Sequence, residues 1–126
     1  MSSHGSRDPK FSGQLQVEDT GDGRNYRLLK NLMYFSGPLR IVVPKGFETD
    51  YASVPRFLWN IIPPTGKYSR AAVVHDYLYR SQITSRVVAD AIFYEAMRAL
   101  GVTWRCWIMY MAVRLFGWKP YNSYKK

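Results

Sequence analysis

The residues best suited to chemistry in this sequence lie in the stretch YSRAAVVHDYLYRSQITSRVVADAIF, which spans positions 68–93. Its apolar spacing predicts two helices joined by a short connection, with His75 and Asp76 in the first helix and Asp90 in the second. His75 and Asp90 are equally far from the middle of the connection. In an antiparallel helix pair they would therefore lie at nearly the same height on neighbouring helices.

Such a pair fits general-base chemistry. A carboxylate that accepts a hydrogen bond from one imidazole nitrogen fixes the tautomer and stabilises the imidazolium, which leaves the other nitrogen free to take a proton from water. Asp76 is about 100° further round the helix, so we expect it to point elsewhere, where it could hold a cation or cap a loop. Tyr79 and Tyr94, one turn after His75 and Asp90, are candidates to complete the hydrogen-bond network.

A second polar cluster, TDYAS, follows the last predicted strand. Thr49, Asp50 and Ser53 fall where this strand gives way to a proline-containing loop. Short polar side chains at such positions satisfy backbone donors, and catalytic groups are common there. Ser53 would need His75 as its base to act as a nucleophile, and the sequence gives it no G-x-S-x-G context. Thr49 and Ser53 are therefore predicted to contact substrate or the network.

A structural role for His75 and Asp90 is the alternative, because a buried His–Asp pair can simply lock two helices together. Several carboxylates around a single histidine favour a functional site, since each buried charge must be offset by partners. The residues alone leave both interpretations open.

The rest of the chain indicates an α+β fold, with a small antiparallel β-sheet in the N-terminal half followed by a three-helix segment. Alternating and apolar runs predict strands within 11–17, 26–35 and 39–44, and helices over 70–80, 86–100 and 104–116.

The predicted organisation is one domain between two tails. Residues 1–10 are expected to form a flexible arm, residues 11–117 a single α+β domain, and residues 118–126 a basic tail.

Charge and composition narrow the classes of partner. The chain has 18 basic and 9 acidic residues, a formal net charge of +9, which favours anionic partners such as lipid headgroups. The basic residues are scattered and no base-stacking motif is present, so nucleic acid is not the expected partner. Cys106 is the single cysteine, which excludes an intrachain disulfide.

Membrane insertion is also not expected from the sequence. The longest uninterrupted apolar run, CWIMYMAV, has eight residues, whereas roughly 20 are needed to span a bilayer. The N-terminus lacks a signal-peptide pattern, so we expect synthesis in the cytosol and no transmembrane segment.

The predicted helix over 104–116 has two interpretations. Trp107, Met111 and Leu115 repeat at helical spacing, which favours a face packed in the core. Alternatively, this Trp- and Met-rich helix and the basic C-terminal half would help the protein rest on an anionic lipid surface.

Three blocks in a fixed order carry a resemblance to a known family. The blocks are GFETDYASVPRFLW, PPTGKYSRAAVVHDYLYR and SRVVADAIFYEAMRALGV, with MYMAVRLFG after them. Their pattern, T-D-x-A-S-V-P, H-D-x-L-Y and A-D-x-x-F, resembles an uncharacterised family of small proteins of tailed bacteriophages and prophages, a domain of unknown function. The resemblance implies a phage origin and no established activity.

A second, local resemblance concerns chemistry. AAVVHDYLYR and VVADAIF are similar to the paired active-site helices of phospholipases A2. This resemblance implies that His75 is the general base, Asp90 its orienting carboxylate and Tyr79 a network residue. It also implies calcium, bound by Asp76 with Asp50, as the cofactor. The stretch before the histidine helix, FLWNIIPPTGKY, departs from the glycine-rich calcium loop of those enzymes.

Two functions from different classes follow from these patterns. One is a His–Asp hydrolase that cleaves an ester, phospholipase-like, at the host envelope. The other is a non-enzymatic structural or accessory component of the phage tail or baseplate, in which the His–Asp pair only holds the fold. In both cases we expect synthesis in the host cytoplasm, location in the virion and other phage tail proteins as partners.

Overall fold

A computed structural model describes residues 10–12, 14–23, 25–50, 69–102 and 104–125. The N-terminal half forms six short strands: β1 (Lys10–Ser12), β2 (Val17–Asp19), β3 (Tyr26–Leu28), β4 (Leu32–Ser36), β5 (Leu39–Val43) and β6 (Glu48–Thr49). The C-terminal half forms four helices: α1 (Ser69–Ser81), α2 (Arg86–Ala99), α3 (Trp104–Phe116) and α4 (Trp118–Ser123). The predicted α+β class is confirmed, with a fourth helix added.

The strands form two antiparallel sheets, whereas the sequence indicated one. The first sheet has the order β1-β4-β5 and the second the order β2-β3-β6. The predicted strand over 26–35 is divided at Leu29–Asn31, so that β3 and β4 belong to different sheets. Asn31 accounts for part of this break, because its side-chain oxygen accepts a hydrogen bond from the Lys45 backbone at 2.7 Å.

Local sequence explains the ends of α2. Ser85 caps its N-terminus, since the serine hydroxyl accepts a hydrogen bond from the Val88 backbone N–H at 3.3 Å. Gly101 follows its C-terminus with a φ of +83°, a left-handed conformation that glycine adopts without steric cost. Both ends agree with the boundaries predicted from the sequence.

The core lies between the sheets and the first two helices. Tyr34 and Ile41 from the first sheet are almost fully buried, as are Val74 of α1 and Phe93 of α2. The Tyr34 hydroxyl donates to the Glu95 carboxylate of α2 at 2.7 Å, which joins the first sheet to the helices. Burial and this hydrogen bond raise the pKa of Tyr34, so the phenol stays a donor.

α3 is apolar on two sides. Cys106 and Met109 face the core, whereas Trp107, Met111 and Leu115 are 56%, 38% and 59% exposed. The expectation that these three residues face the core is wrong, because α3 packs on α2 through the other side of the helix. Within the described residues, no helix combines the length and the hydropathy needed to cross a membrane.

The C-terminal segment predicted as a tail is partly helical. Residues Trp118–Ser123, assigned to a basic tail from the sequence, form α4, which contacts α1 and α3. Residues 1–9, assigned to a flexible arm, lie outside the described residues.

Candidate functional site

α1 carries the two residues from which the site is built. Its apolar positions are so regularly buried that the helix is enclosed along most of its length. His75 and Asp76 are both buried as well, and they face different neighbours because successive residues on a helix are about 100° apart. His75 faces α2, and Asp76 faces the end of the second sheet.

His75 and Asp90 form the centre of the site. His75 Nε2 lies 2.8 Å from Asp90 Oδ1, and the two side chains are 2% and 0% exposed. The prediction that these residues face each other across the helix pair is confirmed. The short connection between α1 and α2 sets their common height, as the equal spacing from its middle implied.

Asp90 accepts hydrogen bonds from three side chains, those of His75, Tyr79 and Arg114. Tyr79 donates to Oδ1 at 2.6 Å, and Arg114 of α3 donates to Oδ2 at 2.7 Å. Arg86, one turn earlier on α2, lies 3.5 Å from Oδ2. Burial opposes ionisation of this carboxyl, but the hydrogen bonds from His75 and Tyr79 outweigh it and hold the pKa of Asp90 below its ordinary value. Asp90 is therefore a carboxylate that only accepts hydrogen bonds.

The ionised state of Asp90 assigns the tautomer of His75. Because the carboxylate can only accept, the proton of the neutral imidazole is on Nε2, and Nδ1 carries a lone pair. The ring stacks on Phe93 with a centroid distance of 4.5 Å, which fixes its plane. Nδ1 is buried and has no hydrogen-bond partner among the described residues.

The burial of Nδ1 has an energetic consequence. A buried acceptor without a partner costs about 1–3 kcal/mol, so such atoms are uncommon in folded proteins. Where they occur, a catalytic role or a bound water is a frequent explanation. The imidazole is thus oriented on one side by Asp90 and presents an unpaired base on the other.

A second buried carboxylate lies on the opposite side of α1. Thr49 donates to Asp76 Oδ2 at 2.8 Å, and the Asp50 backbone N–H donates to the same oxygen at 3.3 Å. Arg80, one turn later on α1, donates to Oδ1 at 2.9 Å. Burial and the nearby Asp50 carboxylate raise the pKa of Asp76, against the lowering effect of Arg80.

These contacts decide how well Asp76 and Asp50 fit calcium. Calcium requires six to eight oxygen ligands, and among the described residues no group of three or more metal-ligating side chains is present. The guanidinium of Arg80 already lies against Asp76 and is 3.8 Å from Asp50. A calcium ion would have to displace this arginine, so the described residues do not fit calcium in this arrangement.

The remaining predicted residues divide into three groups. Thr49 and Tyr79 lie in the networks of Asp76 and Asp90, as described above. Tyr94 points to α3 instead, where its ring packs on Trp107 and Tyr110, and it is not among the described hydrogen-bond partners of Asp90. Ser53 lies outside the described residues.

Three arginines of the site did not emerge from the sequence. Arg80 and Arg86 are each four residues from a buried aspartate on the same helix, a spacing that brings side chains together and gave a usable signal. Arg114 gave no such signal, since it is 24 residues from Asp90 and reaches it only because α3 folds back on α2.

The chain matches the family described as "Protein of unknown function (DUF1353)" over residues 26–113, and it belongs to that family. This match covers β3 to β6, helices α1 and α2 and most of α3, whereas β1, β2 and Arg114 lie outside it.

One curated relative extends the comparison. The chain is 39% identical over 82 residues to "Uncharacterized protein y4jT" of Sinorhizobium fredii (strain NBRC 101917 / NGR234). The aligned region is 63% of this chain and 24% of the relative, so the chain spans about a quarter of the length of that protein. No solved structure matches the chain.

Proposed function

We propose that the protein is a hydrolase in which His75 is the general base and Asp90 its orienting carboxylate. The observation that carries this proposal is the buried Nδ1 of His75, which has no partner among the described residues although Nε2 is held by Asp90. A base needs an unpaired lone pair, a fixed ring orientation and access for water. This arrangement provides the first two, and because His75 is only 2% exposed, the third requires side chains over Nδ1 to move.

The reaction is the addition of water across an ester. Nδ1 of His75 takes a proton from water while the water oxygen attacks the ester carbonyl carbon. Asp90 stabilises the resulting imidazolium through Nε2–H. When the tetrahedral intermediate collapses, the imidazolium returns the proton to the departing alkoxide, which leaves a carboxylic acid and an alcohol. No step requires calcium.

The proposed setting is the bacterial envelope, with a phospholipid ester as the substrate. The net charge of +9 supports an anionic partner, and the resemblance to phage proteins supports synthesis in a host cytoplasm and a place in the virion beside other tail proteins. The local resemblance to phospholipases A2 supports an ester as the bond that is cleaved.

The test is release of fatty acid from phospholipid vesicles, measured with added calcium and with chelator. Wild type is compared with His75→Asn and Asp90→Asn, and each variant is checked for folding by far-UV circular dichroism. His4→Asn is the matched histidine control, and Glu95→Gln is the matched carboxylate control because Glu95 bonds Tyr34 instead of His75.

The expected result is a loss of roughly 100-fold or more for His75→Asn, since general-base catalysis contributes about that much, with both controls near wild type. Absence of hydrolysis by the wild type in both conditions would refute the proposal. Equal activity of wild type and folded His75→Asn would also refute it.

A structural component of a phage tail is the second candidate, and one observation favours it. Asp90 is fully buried, and its carboxylate is bonded from α1 and α3 as well as approached by Arg86 of α2. Holding helices together is by itself a sufficient role for a carboxylate with this many partners. This candidate predicts no hydrolysis by the wild type, and stability as the only property that Asp90→Asn and His75→Asn change.

A further inference from the structure

The exposed side of α3 carries several large apolar side chains that the candidate site does not use. Trp104, Trp107, Met111 and Leu115 are three or four residues apart and therefore lie along one side of the helix; we call them the outer stripe. Trp104 and Leu115 are 60% and 59% exposed. Apolar side chains exposed together in this way mark an interaction surface.

The outer stripe differs from an ordinary amphipathic pattern. A surface helix in a globular protein has one apolar side, packed on the core, and a polar side in water. α3 already has its core side, formed by Cys106 and Met109. The outer stripe is a second apolar side: Trp107 packs against Tyr94 of α2, and the stripe is otherwise exposed among the described residues.

A cavity extends the stripe towards α2. It has a volume of about 290 Å³ and is lined by Ala91 and Tyr94 of α2 and by Trp107 and Tyr110 of α3. The lining is almost wholly apolar or aromatic, so the cavity suits an apolar group such as part of an acyl chain. Trp107 belongs both to the cavity and to the outer stripe, which makes the two continuous.

The exposed charges of the helical half, residues 69–126, favour an anionic partner. Residues 69–126 contain nine basic and three acidic residues. Asp76 and Asp90 are buried, and Glu95 accepts hydrogen bonds from Tyr34 and Ser36 of the first sheet. The exposed charges of the described helices are therefore basic.

Exposed basic side chains occur on α3 and on α4, the helix that follows it. The Arg105 guanidinium lies 5.1 Å from the centre of the Trp104 ring, and Lys119 is exposed one residue after the exposed Trp118. Tryptophan and leucine flanked by arginine and lysine are typical of helices that lie in the plane of a membrane interface.

We propose that the outer stripe of α3 docks the protein onto an anionic phospholipid bilayer. The stripe enters the boundary between headgroups and acyl chains, the cavity accepts an apolar group of a lipid, and Arg105 and Lys119 contact lipid phosphates. This inference deepens the proposed function and rests on it only for the fate of the lipid, since docking requires neither His75 nor Asp90.

The test is flotation of the full chain with vesicles of phosphatidylglycerol mixed with phosphatidylethanolamine, compared with vesicles of phosphatidylcholine alone. The stripe variant is Trp107→Gln with Leu115→Gln, both outward-facing changes. The matched control is Leu29→Gln with Leu39→Gln, which are 43% and 40% exposed but lie in the sheet half.

Charge is tested in the same assay. Arg105→Gln with Lys119→Gln removes one basic group beside the stripe and one on α4. Lys30→Gln with Arg40→Gln removes the same number of exposed basic groups from the sheet half. Added salt weakens the attraction between exposed basic groups and lipid phosphates by screening it.

The expected result is selective binding to anionic vesicles. We expect the affinity of the stripe variant for anionic vesicles to be roughly tenfold or more below that of wild type. The charge variant should also bind more weakly, and its difference from wild type should shrink as salt is added. Both controls should match wild type. Equal binding of stripe variant and control would overturn the proposal. Absence of vesicle binding by the wild type would overturn it as well. If the wild type then self-associates or binds a protein partner, and Trp107→Gln blocks that contact, the stripe belongs to a protein interface instead.

The two proposals fail separately. If docking is right and the hydrolase is wrong, wild type and His75→Asn bind vesicles equally and neither releases fatty acid. If the hydrolase is right and docking is wrong, the stripe variant hydrolyses vesicle lipid as fast as wild type does.

Discussion

The guanidinium of Arg114 lies 2.7 Å from Oδ2 of Asp90, on the side of the carboxylate away from His75. One buried carboxylate thus fixes a histidine of α1 and anchors α3 at the same time. Stability and the orientation of His75 are consequently linked through Asp90, and variants at this position separate the two effects only if both are measured.

Asp90→Asn is expected to lower the free energy of unfolding by about 3–5 kcal/mol, because removing one partner of a buried ion pair leaves the others uncompensated. Urea unfolding followed by circular dichroism measures this loss. Glu95→Gln is the control, and it should cost clearly less because Glu95 bonds neutral hydroxyl groups. A similar loss in both variants would show that Asp90 contributes no more to the free energy of unfolding than Glu95 does.

Arg114→Met is expected to lower the free energy of unfolding by about 1–2 kcal/mol. The loss is smaller than for Asp90→Asn because Arg86, 3.5 Å from the same oxygen, retains a positive charge beside it. Arg98→Met is the matched control, since Arg98 is an exposed helix residue. Chemical denaturation of wild type, Arg114→Met and Arg98→Met measures the difference. An unchanged midpoint in Arg114→Met would contradict the prediction.

Stability is expected to depend on pH in two opposite ways. The pKa of Asp76 is raised, so its ionisation disfavours the fold, and stability should rise as pH falls through that raised pKa towards the ordinary value of 3.8. The pKa of Asp90 is lowered, so its contribution is present above 3.8 and is lost as pH falls below that value. Stability should therefore pass through a maximum on the acidic side of neutrality.

Asp76→Asn isolates the first of these effects. With no titratable group at position 76, the rise on mild acidification should disappear, while the loss at lower pH should remain. Thermal unfolding midpoints measured across the acidic range test this. A rise that survives in Asp76→Asn would assign it to another group.

Gly117→Ala is expected to lower the free energy of unfolding by about 2 kcal/mol or more, because a Cβ there would overlap the Val113 carbonyl oxygen and the Tyr79 hydroxyl. Gly37→Ala is the control: Gly37 has a φ of +56° and open space around it, so only backbone strain of about 1 kcal/mol applies. Thermal or urea unfolding distinguishes the two, and equal losses would contradict the close packing at Gly117.

The helix pair could be predicted from the sequence because its geometry is local. The connection between α1 and α2 is short, so counting residues outward from its middle placed His75 opposite Asp90. The helix period alone placed Asp76 on another side of α1. Neither conclusion required knowledge of the rest of the fold.

The parts that could not be predicted depend on distant contacts. Arg114 reaches Asp90 only after α3 has packed on α2. The exposure of Trp107 was missed because α3 has apolar residues on two sides, and periodicity does not tell which side meets the core. The break at Leu29–Asn31 was missed because a backbone donor from a later strand loop stabilises it.

The adjacency of His75 and Asp76 restricts which length changes this chain tolerates. His75 is fastened to α2 and Asp76 to Thr49 at the end of the second sheet. One residue inserted between them would turn everything beyond it by about 100° on the helix, so only one of the two attachments would survive. In the exposed turn between β2 and β3, the described bonds of Thr20, Gly21 and Asn25 are to one another, to Asp22 or to Asp19 at its edge. Natural insertions and deletions in related chains should therefore collect in such turns and spare the middle of α1.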